Sequence, residues 1–295
     1  MKKAFLQLHI AVFLAGFTAI LGKLIELNEG LLVLYRMLLS VMILGVIMLF
    51  QGKMSKISWK DFLKITGVGL ILAIHWLTFY GSIKYANASV GVVCISASGF
   101  FSAIFEPLLL KKRFDIMNLF LGLISVLGIL IIFGFHQHFK VGIIFGIISA
   151  IGSAIFPIFN KQLLQKHQAQ TLTFYELLGG VILLSAVLPF YFMKYEPVYY
   201  MPNITDVFWL VVLAGFCTVL TFNLQLNALK KISAFTSNLM YNLEPVYGVI
   251  FAFAILNEHQ MFNEYFYLGI GLIFLAVFIQ MRREKNSNEK AVSKP

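Results

Sequence analysis

The sequence predicts an all-α membrane protein whose ten transmembrane helices form two inverted-topology repeats of five. Composition is the first reason: of 295 residues, 60% are hydrophobic and 12% charged, whereas soluble domains carry about 25% charged residues. The second is length patterning, because ten apolar stretches come close to the roughly 20 residues needed to cross a hydrocarbon core. The third is a set of landmarks in the first five stretches that recur in the last five at near-constant spacing.

In chain order the spans fall at about 4–22, 31–50, 63–84, 89–110, 116–134, 140–160, 171–193, 206–229, 233–255 and 264–281. The first follows Met1-Lys2-Lys3, shows no convincing cleavage site and precedes nine more spans, so it reads as an uncleaved helix rather than a signal peptide. The polar breaks are short and leave nothing for a soluble domain. Residues 1–138 make the first repeat, 139–281 the second, and 282–295 a charged cytoplasmic tail whose composition predicts disorder.

The net charge of +10 reports topology. With the N-terminus inside, 18 of the 23 Lys and Arg fall on inner loops and ends and 4 on outer loops, with Arg36 inside a span. Cytoplasmic loops collect Lys and Arg, so both termini are expected in the cytoplasm, at the plasma membrane (the inner membrane if the source is bacterial), and no nucleic-acid partner is implied. Cys94 and Cys217 both lie in apolar spans and read as buried thiols rather than a disulfide framework. No Walker-type phosphate loop, CxxC or HExxH pattern is present, so no cofactor, metal site or catalytic residue is predicted. Gly142 and Gly146 form a GxxxG read as close helix packing within the fold.

Leu34-Tyr35-Arg36-Met37-Leu38 parallels Phe174-Tyr175-Glu176-Leu177-Leu178 at an offset of 140, Ser98-Gly99 falls opposite Glu244-Pro245 at 146, and Leu121-Gly122-Leu123 parallels Leu268-Gly269-Ile270 at 147. Because five is odd, the second copy starts on the opposite side of the bilayer. Inverted repeats are typical of secondary transporters, whose substrate sites lie near the midplane at the repeat interface.

The residues also carry a family resemblance. The run Ile74-His75-Trp76-Leu77-Thr78-Phe79-Tyr80-Gly81, continuing through Asn87-Ala88-Ser89-Val90-Gly91 to Phe105-Glu106-Pro107, resembles the first EamA repeat of the drug/metabolite transporter superfamily. Ala228-Leu229-Lys230-Lys231-Ile232-Ser233-Ala234, leading to Leu243-Glu244-Pro245 and Ile255-Leu256-Asn257-Glu258, resembles the second. The resemblance spans all but the tail. It implies a ten-helix permease with helices 1–4 and 6–9 around a central cavity, helices 5 and 10 peripheral, and substrates that include amino acids and other small metabolites, often exported. One departure is Gly99, where the first repeat of many members has proline; glycine freedom would keep a hinge there.

Glu244 is the first candidate site residue, since a carboxylate at mid-span costs roughly 2.5–3.5 kcal/mol and usually faces a polar path. The alternative is a protonated carboxyl bonded to the backbone freed by Pro245. Ser237, Tyr241 and Glu244 share one helical face, as do Trp76 and Tyr80. Together with Asn238, His75 and Ser98 they form the predicted substrate-binding set, suited to an organic solute with an apolar body and a polar head; aromatic packing is the competing reading. Asn223, Gln225, Asn227 and Asn242 add amides nearby. Arg36, about 8 Å below the outer end of its helix at 1.5 Å per residue, is expected to snorkel outward or gate the outer mouth. Glu106, Glu176 and His9 fall toward the inner side as a candidate gating or proton-coupling cluster, unless Glu106 merely ends its span beside Lys111 and Lys112. With Arg36 toward one end, phosphorylated substrates are disfavoured.

The resulting reading is a secondary, non-ATP transporter of a small organic metabolite, an amino acid or a related compound with export as one direction, working by alternating access in the lipid bilayer. A proton is the candidate coupling ion and a homodimer the candidate assembly. The alternative is a non-transporting scaffold or sensor that keeps the permease fold.

Overall fold

The computed structural model describes residues 2–53, 56–134, 139–232, 237, 240–241 and 243–292, and all its regular elements are helical. The first repeat contains α1 (Lys2–Leu24), α2 (Glu29–Phe50), α3 (Trp59–Tyr85), α4 (Ala88–Ile95), α5 (Ser98–Leu110) and α6 (Ile116–Gly134). The second contains α7 (Lys140–Leu163), α8 (Ala169–Phe192), α9 (Ile204–Ala214), a π-helical turn (Gly215–Leu220), α10 (Thr221–Leu229), α11 (Glu244–Leu256), a short 3-10 turn (Glu258–Met261) and α12 (Glu264–Val292). With α4–α5 and α9–α10 each taken as one span, seven helices are long and apolar enough to cross a membrane, and three shorter apolar helices accompany them.

Helix starts follow local capping chemistry. Asn28, Asn87 and Asn203 each accept the amide N–H three residues on, at 2.8 Å. Ser58 accepts from the Asp61 amide at 3.2 Å while its hydroxyl donates to the Asp61 carboxylate at 2.8 Å, a reciprocal cap at the head of α3. α5 and α11 end alike: Lys111 and Asn257, 146 residues apart, both adopt a left-handed conformation, with φ of 52° and 55°. Such a residue closes a helix by turning its N–H back onto the last carbonyls.

α3 packs on α7 and α8, α1 on α10 and α11, α2 on α8 and α9, and α4 on α7 and α11. α6 and α12 lie against each other outside this group, as expected for spans 5 and 10. At their basic end Arg283 donates to Asp115 at 2.8 Å, and that guanidinium holds the Asp115 carboxyl below the usual carboxylate range. Glycines permit the closest approaches. A Cβ at Gly146 would lie 2.5 Å from Cys94 Cβ and one at Gly142 2.6 Å from Ala86 Cβ, so the GxxxG does serve packing within the chain. Both cysteines are buried and free.

Three departures from the sequence reading bear on function. The fourth span breaks at Ser96–Ala97, and the helix of the ninth begins at Glu244, so both repeats restart a helix at the equivalent positions Ser98 and Glu244. The eighth span is interrupted by the π turn, which offsets its two ends. The tail, expected to be disordered, continues α12 to Val292; beyond the apolar run its Arg, Glu and Lys residues are good helix formers.

Candidate functional site

The break in the ninth span and the π turn meet at a cavity of about 70 Å³ in the middle of the bundle, lined by Arg36 of α2, His75 and Trp76 of α3, Cys217 of the π turn, Gln225 of α10, Tyr241 and Glu244, among others. Its volume is far below the roughly 300–1,000 Å³ of sites that hold small molecules. The conformation is therefore constricted around its polar groups.

Arg36 is the centre of the polar wall and overturns the expectation of a snorkelling residue: it is 2% exposed. Its Nε donates to Thr218 Oγ1 at 2.8 Å, one terminal nitrogen to the Tyr80 hydroxyl at 2.8 Å, and the other to the Cys217 carbonyl at 3.1 Å. The guanidinium carbon lies over the Trp76 ring, 3.6 Å from its centre. A planar fork suits this combination of three divergent acceptors and a ring face. The π turn makes the acceptors available: Thr218 Oγ1 donates back to Leu213 O at 2.9 Å, five residues earlier, and the widened turn presents the Cys217 carbonyl to Arg36.

Glu244 lines the same cavity, 9% exposed. It is not mid-helix. Pro245 occupies the first turn of α11, where its missing N–H costs nothing, so no carbonyl is freed beside it. The carboxylate instead sits at the positive end of a helix dipole. No ion pair joins Glu244 to Arg36 among the described residues, so the cavity presents a cation and an acid separately. The Tyr241 hydroxyl, also on the wall, has no hydrogen-bond partner among the described residues.

The other predicted residues separate. His75 lines the cavity, with Nδ1 2.8 Å from both the carbonyl and the hydroxyl of Ser149, which fixes α3 to α7. Tyr80 lies behind the wall as a support for Arg36. Ser237 is buried, its hydroxyl without a hydrogen-bond partner among the described residues, and Ser98 is buried at the start of α5; neither lines the cavity. Asn238 and Asn242 lie outside the described residues.

Glu106, Glu176 and His9 do not form one cluster. Glu106 accepts an ion pair from Lys112 at 2.9 Å, His9 Nε2 lies 3.1 Å from the Tyr247 hydroxyl, and Glu176 has Asn160 as its polar neighbour. With Arg36 on the cavity wall, the ground for disfavouring phosphorylated solutes is removed. Thr18, Ser153, Thr221, Phe156 and Phe222 also line the cavity and were not singled out from sequence; single hydroxyls within apolar spans were the available signal.

Fold and cavity together define a polytopic membrane protein with a central polar site assembled from both halves of the chain. Residues 2–134 and 140–282 each match the EamA-like transporter family, and the chain belongs to that family, as an integral multi-pass transporter rather than an enzyme. It is 22% identical to an uncharacterized transporter of Clostridium kluyveri, over 98% of this chain and 96% of the relative. It is 27% identical to one of Archaeoglobus fulgidus over 87% and 90%, and 26% identical to the uncharacterized transporter YetK of Bacillus subtilis over 96% and 88%. A solved crystal structure shares the fold with a TM-score of 0.70 at 14% identity, over 97% of this chain and 99% of that one.

Proposed function

We propose that the protein is a secondary transporter that moves a small organic metabolite through the central cavity by alternating access, with its two repeats inverted and both termini cytoplasmic. The observation that carries this reading is the shared polar wall: Arg36 comes from the first repeat and its Thr218 and Cys217 partners from the second, with Glu244 lining the same cavity. Rocking one repeat against the other would open that wall toward one side or the other. The helix pairing supports inversion. Exchanging spans 1–5 for 6–10 turns the α3–α7 contact into the α10–α1 contact, and maps α2–α8, α4–α11 and α6–α12 onto themselves.

In this reading a solute with an apolar body and a polar head rests against Trp76, Phe156 and Phe222. Arg36 and the Tyr241 hydroxyl take up an anionic or accepting end, and Glu244 takes up a cationic end or carries a coupling proton. The test is flux in proteoliposomes across a panel of amino acids and related metabolites. Saturable flux of at least one solute is expected, together with loss of concentrative flux in Glu244→Gln, which keeps size and hydrogen bonding but removes charge and titration. A panel with no saturable solute would refute transport through this cavity. Wild-type rates with unchanged pH dependence in Glu244→Gln would return that residue to helix packing.

A further inference from the structure

We propose that the recess between α3 and α7 at the basic end of the bundle binds one anionic phospholipid. The recess has a volume of about 530 Å³ and lies apart from the central cavity. Its mouth is charged: Lys64 and Lys166 are exposed, and Asp61 is ion-paired to Lys166 at 2.6 Å. Lys64 has no ion pair among the described residues. Two ammonium groups and one carboxylate leave a single positive charge, with His167 counted as neutral, which matches the single negative charge of a phosphodiester.

Behind the mouth the recess is apolar, walled by Gly67, Val68 and Ile71 of α3 and by Phe159 and Leu163 of α7. Gly67 opens the notch, since a Cβ there would meet nothing within 4 Å. The same side of α3 continues with Leu70 and Ile74, 37% and 48% exposed. From Lys64 to Ile74 the helix rises ~15 Å, half of the ~30 Å hydrocarbon thickness and therefore the depth of one leaflet. A soluble anion would use the mouth and leave the notch empty; a neutral lipid would fill the notch and leave Lys64 uncompensated. A phospholipid with net negative charge satisfies both.

The experiment uses the full chain in detergent, with bound lipid counted by native mass spectrometry as phosphatidylglycerol, phosphatidylcholine or inorganic phosphate is added. One phosphatidylglycerol per chain is expected to persist where phosphatidylcholine and inorganic phosphate do not. Lys64→Gln should weaken its retention about fivefold, the worth of one lysine near an anionic surface, and Gly67→Leu should reduce it to background by filling the notch. Both positions face open space, so neither variant threatens folding. Equal retention of phosphatidylcholine, tight binding of inorganic phosphate alone, or undiminished phosphatidylglycerol in both variants would each overturn the proposal. The result is independent of whether a transported solute has been found.

Discussion

Tyr80→Phe is the sharpest test of how Arg36 is held. The substitution removes one oxygen and keeps the ring, which packs into the space left by Gly22 and meets Phe79 edge-on at 5.4 Å between ring centres. What is lost is the 2.8 Å bond from an Arg36 terminal nitrogen. A neutral hydrogen bond contributes about 0.5–1.5 kcal/mol net and one to a charged group about 1.5–3. With Arg36 2% exposed, water cannot readily replace the phenol, so the upper part of that range applies and a loss of about 2–3 kcal/mol is expected. Reversible unfolding in mixed micelles with rising SDS fraction would measure it. A double-mutant cycle with Arg36→Met would isolate the pairwise part. A Tyr80→Phe stability within about 0.5 kcal/mol of the parent, the usual range for inconsequential substitutions, would refute the argument. So would a coupling energy near zero.

Topology is checked by single cysteines. Those at Met201 and Asn263 should react with an impermeant reagent from outside intact cells, those at Lys56 and Ser287 should not, and outside labelling at 287 would reverse the assignment made from the charge bias. Helix contact through a missing side chain is checked by Gly69→Ala, whose new Cβ would overlap the Glu176 carbonyl oxygen across the α3–α8 contact. Overpacking against backbone should cost about 1–3 kcal/mol in the same unfolding assay, and a neutral result would mean that α3 and α8 separate freely.

The helical membrane class was legible because the bilayer constrains it so strongly. Span length required no knowledge of packing, and the place of α6 and α12 outside the central helices agrees with the peripheral position that the family resemblance implied. The site was legible only in part. Rise per residue gave each side chain a depth but not a direction around the bundle. Arg36 was therefore placed near the outer mouth, although it turns inward to the Thr218 hydroxyl. The π turn that exposes the Cys217 carbonyl carries no proline or glycine pair to announce it beyond Gly215. Glu244 was read as mid-helix because Pro245 in an apolar run looks like a kink, whereas the helix begins there. His75 and Trp76 were found because their helix is continuous and the 3.6-residue period holds.

The equivalent pair Arg36 and Glu176 shows where the two repeats have parted. Each follows a tyrosine in a matching motif, 140 residues apart, so duplication explains their positions but not their surroundings. Arg36 meets two hydroxyls, a carbonyl and a ring face supplied by α3 and the π turn. Glu176 is 0% exposed, and neither of its carboxylate oxygens finds a hydrogen bond among the described residues; nor do the side-chain atoms of Asn160 beside it. A permanent cation cannot shed its charge and so requires acceptors, whereas a carboxyl can be buried neutral beside a single amide. The polar tie from Arg36 to the π turn therefore joins the first repeat to the second, and among the described residues the equivalent position Glu176 forms no such tie. Two inter-repeat contacts at matching positions need not be held in the same way. In a carrier that rocks the repeats against each other, the Arg36 contact would have to exchange hydrogen bonds, while the Glu176 contact is one of helix packing, with Gly69 close against the Glu176 backbone.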